Sequence, residues 1–109
     1  MRIAIIGSRN ADRQNIAEHL PPDVTEIVSG GARGIDTQAA QYAIANGIRL
    51  TEFLPEYEKY NRGAPLKRNE QIAQYADEAL VFWDGRSKGT KHTIDLFRKL
   101  GKSVKIIMV

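Results

Sequence analysis

Three short segments of this chain combine glycine, a hydroxyl side chain and a cation: Gly7-Ser8-Arg9, Ser29-Gly30-Gly31-Ala32-Arg33-Gly34 and Gly85-Arg86-Ser87-Lys88-Gly89-Thr90. The chemistry of that combination is anion binding. Glycine lets backbone N–H groups approach a phosphate closely, the hydroxyl donates, and the cation supplies charge. Gly30, Gly31 and Gly34 are expected to shape a loop over a phosphate, with Arg33 contacting it or pinning the loop to a neighbouring acid. Ser8 and Arg9 are expected at the mouth of the same crevice. Asp36 either accepts from a ribose hydroxyl or is a favourable first-turn acid. Ser87, Gly89 and Thr90 can hold a second phosphate, and Thr90 is equally natural as a helix N-cap. His19 and His92 stand apart with no metal-ligand spacing, so no metal site and no cofactor is expected.

Those segments need elements that bring them together. Apolar runs at 3–6, 26–28, 49–53, 79–83 and 104–109 are short and rich in β-branched or aromatic residues, and read as strands. Helical spacing runs over about 12–20, stopped by Pro21 and Pro22, and over about 34–46, stopped by Gly47. A third helix starts at Pro65 and carries Leu66, Asn69, Ile72 and Ala73, and a fourth runs over about 90–100 and stops at Gly101. Strict alternation predicts the α/β class: a Rossmann-like three-layer sandwich whose five-stranded parallel sheet has the order 3-2-1-4-5. That order puts the first and fourth strands side by side at the switch point, where loops diverge and ligands bind. Every glycine-rich segment above follows a strand and precedes a helix, whose start offers unpaired N–H groups. The stretch 54–64 is the one long connection. Its Tyr57 and Tyr60 can stack on a base or pack on their own domain, whereas Trp83 ends a buried strand and reads as core.

With 109 residues the chain is expected to be a single domain over 1–109 with one core. Hydrophobic residues at 42% and charged residues at 27% are ordinary for a globular protein, and no apolar run approaches the ~20 residues of a membrane span. Only Met1 and Arg2 precede the first strand, leaving no room for a signal peptide, and there is no cysteine. A cytoplasmic protein with no membrane partner is therefore expected. The net charge of +3 is uneven: residues 86–105 carry seven basic side chains against one acid, Asp95, and the remainder sums to about −3. That segment invites a nucleic-acid partner, although Arg98, Lys99 and Lys102 also suit a helix end.

The string SGGARGID at 29–36 follows Gly7-Ser8-Arg9 and precedes Lys67-Arg68-Asn69, Phe82-Trp83-Asp84-Gly85 and Ser87-Lys88-Gly89-Thr90. In that order the motifs resemble the SLOG superfamily, most of all its small stand-alone YspA-like branch. The SGGARGID string is similar to the core motif of the DNA-processing protein A (Smf) family, and the GT element is similar to that of the LOG phosphoribohydrolases. The resemblance spans the whole chain. It implies a Rossmann-like fold and a nucleotide or nucleotide-derived partner, and it adds Arg68 and Asn69, the family's RN pair, to the ligand-facing residues. It leaves a homodimer paired through helices beside the site as an alternative. LOG proteins carry PGGxGTxxE, whereas here Thr93 stands where the glutamate belongs. That departure favours a binding module, such as a sensor, over a nucleotide N-glycosidase, while a single-stranded DNA-binding module is the third alternative. Asp36, Glu70 and Asp84 remain as carboxylates, and no catalytic residue is assigned among them.

Overall fold

Alternation of side chains along the strands decides which layer each residue joins, and in this chain both faces of every central strand are apolar. In the computed structural model, which describes residues 1–8, 15–31 and 34–109, five parallel strands run in the order β3-β2-β1-β4-β5. They are β1 (Arg2–Gly7), β2 (Glu26–Ser29), β3 (Arg49–Glu52), β4 (Glu78–Trp83) and β5 (Val104–Met108). This is the Rossmann-like α/β arrangement that the alternation predicts. β1 pairs with β2 through Ile3 beside Ile27, and with β4 through Ile5 beside Leu80.

One face of the sheet, formed by Ile3, Ile5, Ile27, Leu80 and Phe82, is covered by α1 (Ile16–His19) and α2 (Ile35–Ala45). The other, formed by Ala4, Val28, Ala79 and Val81, is covered by α4 (Ala64–Tyr75) and α5 (Lys88–Lys99). The long connection contains α3 (Tyr57–Tyr60) and a 3-10 turn, Asn61–Gly63. No helix among the described residues is long and apolar enough to cross a membrane.

The stop signals act as expected for α2, which is followed by Gly47 at φ 64°, and for α5, which is followed by Gly101 at φ 72°. The start of α5 differs from the sequence reading. It begins at Lys88, two residues before Thr90, with Ser87 as N-cap accepting from the Thr90 N–H at 3.4 Å. The cause lies upstream: Asp84 Oδ1 accepts from the N–H groups of Arg86 and Ser87, both at 2.8 Å, and this Asx-type turn closes the loop early.

Candidate functional site

At the carboxyl ends of the strands lies a cavity of about 550 Å³, within the range of small-molecule sites. Its glycine wall is Gly7 at the end of β1 with Gly30 and Gly31 after β2. Asp36 enters from the first turn of α2; Arg68 and Asn69 come from α4; Ser87, Gly89 and Thr90 come from the start of α5. The sheet order thus gathers nine of the residues singled out above around one cavity.

Among the described residues, Arg68 is the cation that lines this cavity. Its Nη1 donates to the Gly30 carbonyl and its Nε to Asn69 Oδ1, both at 2.9 Å. It makes no ion pair among the described residues, and a guanidinium has five N–H donors, so donors remain for an anion. Two glycines lie under close contacts. A Cβ on Gly30 would stand 2.6 Å from Arg68 Nη1, so a side chain there would displace the guanidinium from its place over that backbone. Gly31 has φ 69°, and a Cβ there would collide with Leu54 Cδ2. Gly89 differs from both, because a Cβ there would meet nothing within 4 Å.

The loop before α5 is braced from three sides. Asp84 accepts the two N–H bonds given above, Trp83 Nε1 donates to the Ser87 carbonyl at 3.1 Å, and the Asp84 N–H donates to Ser8 Oγ at 3.2 Å. Bonding by the N–H of Ser87, then that of Arg86, holds the Asp84 carboxyl below the usual carboxylate range. The first turn of α5, where Lys88 and Gly89 have no intrahelical acceptor for their N–H groups, is therefore presented at the cavity on a fixed support.

Other sequence candidates sit elsewhere. Ser8 and Ser29 are buried and do not line the cavity. The Ser8 hydroxyl joins β1 to the β4 loop, and Ser29 Oγ accepts from the Gly31 N–H at 3.2 Å. Gly34 is the N-cap position of α2, with φ 78°. Arg9 and Arg33 lie outside the described residues. Trp83 is half-buried, with its indole N–H turned to the Asp84–Ser87 loop. Among the described residues no group of His, Cys, Asp and Glu is suited to a metal.

Sequence reasoning did not assign Pro55, Pro65, Leu66 or Thr93 to the wall. A signal existed for two of them. Leu66 lies three residues before Asn69, and Thr93 three after Thr90, spacings that share a helix face.

The chain matches the family described as DNA recombination-mediator protein A over residues 1–56, a span from β1 to just beyond β3 that includes the loop after β2. It is 34% identical over 113 residues to the Gene 61 protein of Mycobacterium phage D29, a match covering 92% of this chain and 90% of the phage protein. No solved structure matches it.

Proposed function

The chain belongs to the DNA recombination-mediator protein A family, and we propose that its cavity binds the phosphate of a nucleotide or nucleotide-derived ligand without transforming it. The observation that carries this reading is Gly89. In the first turns of a 12-residue helix, glycine is disfavoured against alanine by up to about 1 kcal/mol. Gly89 is not among the positive-φ residues, and no neighbour would obstruct a Cβ. Nothing within the described residues calls for glycine there, and the position lines the cavity. A bare backbone facing that space suits a phosphate that must approach the N–H groups of a helix start. Arg68, with no carboxylate partner among the described residues, supplies the matching charge.

Gly89→Ala separates this reading from a structural one, because its two effects have opposite sign. Thermal unfolding should show the variant as stable as the parent or more stable, by up to about 1 kcal/mol. Calorimetric titration with AMP should show affinity weakened about tenfold, as befits a blocked charge-assisted hydrogen bond. Unchanged affinity in a stabilised variant would sink the reading.

A second reading, in which the phosphate belongs to a DNA strand, draws on the family description and on residues close in sequence to the cavity's Tyr57, Leu66 and Arg68. Lys59 Nζ and Lys67 Nζ lie 5.3 and 5.7 Å from the Tyr60 ring centroid, a pairing of cations with an aromatic ring that suits single strands. Titration with a 5′-phosphorylated oligodeoxythymidylate beside dTMP distinguishes the two, since a strand-binding site prefers the former.

A further inference from the structure

The phosphate reading leaves one part of the cavity unused. Besides the glycines and Arg68, the same space is walled by Pro55, Tyr57, Pro65 and Leu66. Tyr57 is 60% exposed and Leu66 49%, high values for large apolar side chains that already border a cavity. The Tyr57 ring stacks on nothing and its hydroxyl bonds to nothing among the described residues. Along α4, Leu66, Asn69 and Ile72 recur every three residues and all line the cavity. The change from apolar wall to polar wall therefore falls within about one helical turn, roughly 5 Å.

We propose that this apolar lip, Tyr57 and Leu66 above all, seats the nucleobase attached to the bound phosphate, holding it by its face and not selecting among bases. The inference rests on the phosphate reading of the same cavity. An aromatic ring with a polar tip and an exposed leucine, left without partners beside an anion site, match a ligand with a flat apolar end joined to a charged end. Among the four lip residues only Tyr57 has a polar side-chain atom. Edge-reading hydrogen bonds are what distinguish one base from another, whereas every base offers a face for stacking. The lip thus contributes affinity and little discrimination.

Calorimetric titrations of the full chain with ribose 5-phosphate, AMP, GMP, CMP and UMP test this. The four nucleotides should bind within about tenfold of one another, and each at least about fivefold tighter than ribose 5-phosphate, the low end of what one stacked base provides. Tyr57→Ala and Leu66→Ala should lower nucleotide affinity toward that of ribose 5-phosphate while leaving ribose 5-phosphate itself unchanged, and Tyr57→Phe should retain the parent's preference. Thermal unfolding of each variant shows that the fold is kept. Nucleotides binding no tighter than ribose 5-phosphate, or one base preferred by more than about a hundredfold, would overturn the lip and leave the phosphate site standing. An advantage that survives in the double alanine variant would do the same. Failure of ribose 5-phosphate and of all four nucleotides to bind would instead remove the phosphate reading, and the lip with it. With dTMP and a 5′-phosphorylated oligodeoxythymidylate, loss of binding in Tyr57→Ala supports the lip for whichever binds tighter, and so names a free nucleotide or a strand as the source of the base. No loss for either would overturn it.

Discussion

Thr93 occupies the position where the hydrolase-like pattern has glutamate, and its surroundings limit what it can do. It is 2% exposed, and its hydroxyl donates to the Gly89 carbonyl at 3.1 Å, one turn back along α5. A hydroxyl committed to its own helix neither activates water nor stabilises an oxocarbenium-like centre. Purified protein incubated with AMP, GMP, CMP and UMP should release no free base above background, as judged by chromatography of the products. Clear release, abolished by Arg68→Ala, would make the cavity an active site. At this scale the sequence was readable where a residue's type sets its use, as for Gly30 and Gly89, and where the family resemblance pointed, as for Arg68 and Asn69; all four line the cavity. It was less readable for hydroxyls, whose partners depend on the fold. Ser8 bonds to the N–H of Asp84, 76 residues away, and no local spacing announces that contact. Gly31 is held to glycine by more than the loop shape expected of it, since a Cβ there would strike Leu54.

Elements were legible in kind and order, because their periodicity is local, and less so at ends where side chains compete. Ser87 takes the cap of α5 ahead of Thr90 because Asp84 has already turned the chain. Lys102 shows how a tertiary contact redirects a charge. Its position suits the end of α5, yet its Nζ donates to the carbonyls of Ala73, Gln74 and Ala76 at 2.6, 3.0 and 2.8 Å, closing the end of α4. Lys102→Met should therefore destabilise the protein by about 1–2 kcal/mol in urea unfolding, through orphaned helix-end carbonyls, and leave AMP affinity unchanged. A drop in affinity with stability intact would place Lys102 at the ligand. The opposite, amino-terminal end of the sheet carries a carboxylate tied to two other elements. Glu26 of β2 accepts from Tyr75 of α4 and from Thr51 of β3, the latter at 2.8 Å, with Arg49 at 3.8 Å. Burial pushes its carboxyl up, but the Tyr75 and Thr51 bonds and the Arg49 and Arg2 charges outweigh that and hold it below the usual range. A lowered folded-state value means stability that is present above the unfolded carboxylate value, about 4.3, and lost as pH falls through the folded one. Tyr75→Phe should accordingly cost about 1.5–3 kcal/mol at pH 7, and urea midpoints should show the gap from the parent narrowing below about pH 4. A gap that stays constant to pH 3 would mean that Tyr75 acts by packing on Phe53, with its ring centroid 5.4 Å away, and not through Glu26.

Across the whole molecule, the β3-β2-β1-β4-β5 order could be derived from alternation and crossover handedness, and with it the place where the glycine-rich loops meet. The distribution of charge could not, because residues adjacent in sequence turn to different tasks in the fold. The basic run at 86–105 suggests a nucleic-acid track, but Lys91 pairs with Asp95 at 3.0 Å and Lys102 closes α4. Lys88 and Arg98 stand near opposite ends of α5, about 15 Å apart along its axis. Among the described residues, the cavity wall itself offers Arg68 and the start of α5, enough for one or two phosphates. Counterion release turns that count into a measurable slope, since each phosphate neutralised on a single strand contributes about −0.7 to the dependence of log K on log salt. Binding of a 5′-phosphorylated oligodeoxythymidylate, followed by fluorescence anisotropy between 50 and 300 mM salt, should therefore show a slope of about −1, between roughly −0.7 and −1.4 for one or two phosphates. Lengthening the strand from five to thirty nucleotides should leave the slope unchanged if the cavity alone holds the strand, because the added phosphates then lie beyond its wall. A slope steeper than about −3, or one that grows with strand length, would require four or more phosphate contacts. It would move the binding surface from the cavity to a track across the outside of the molecule.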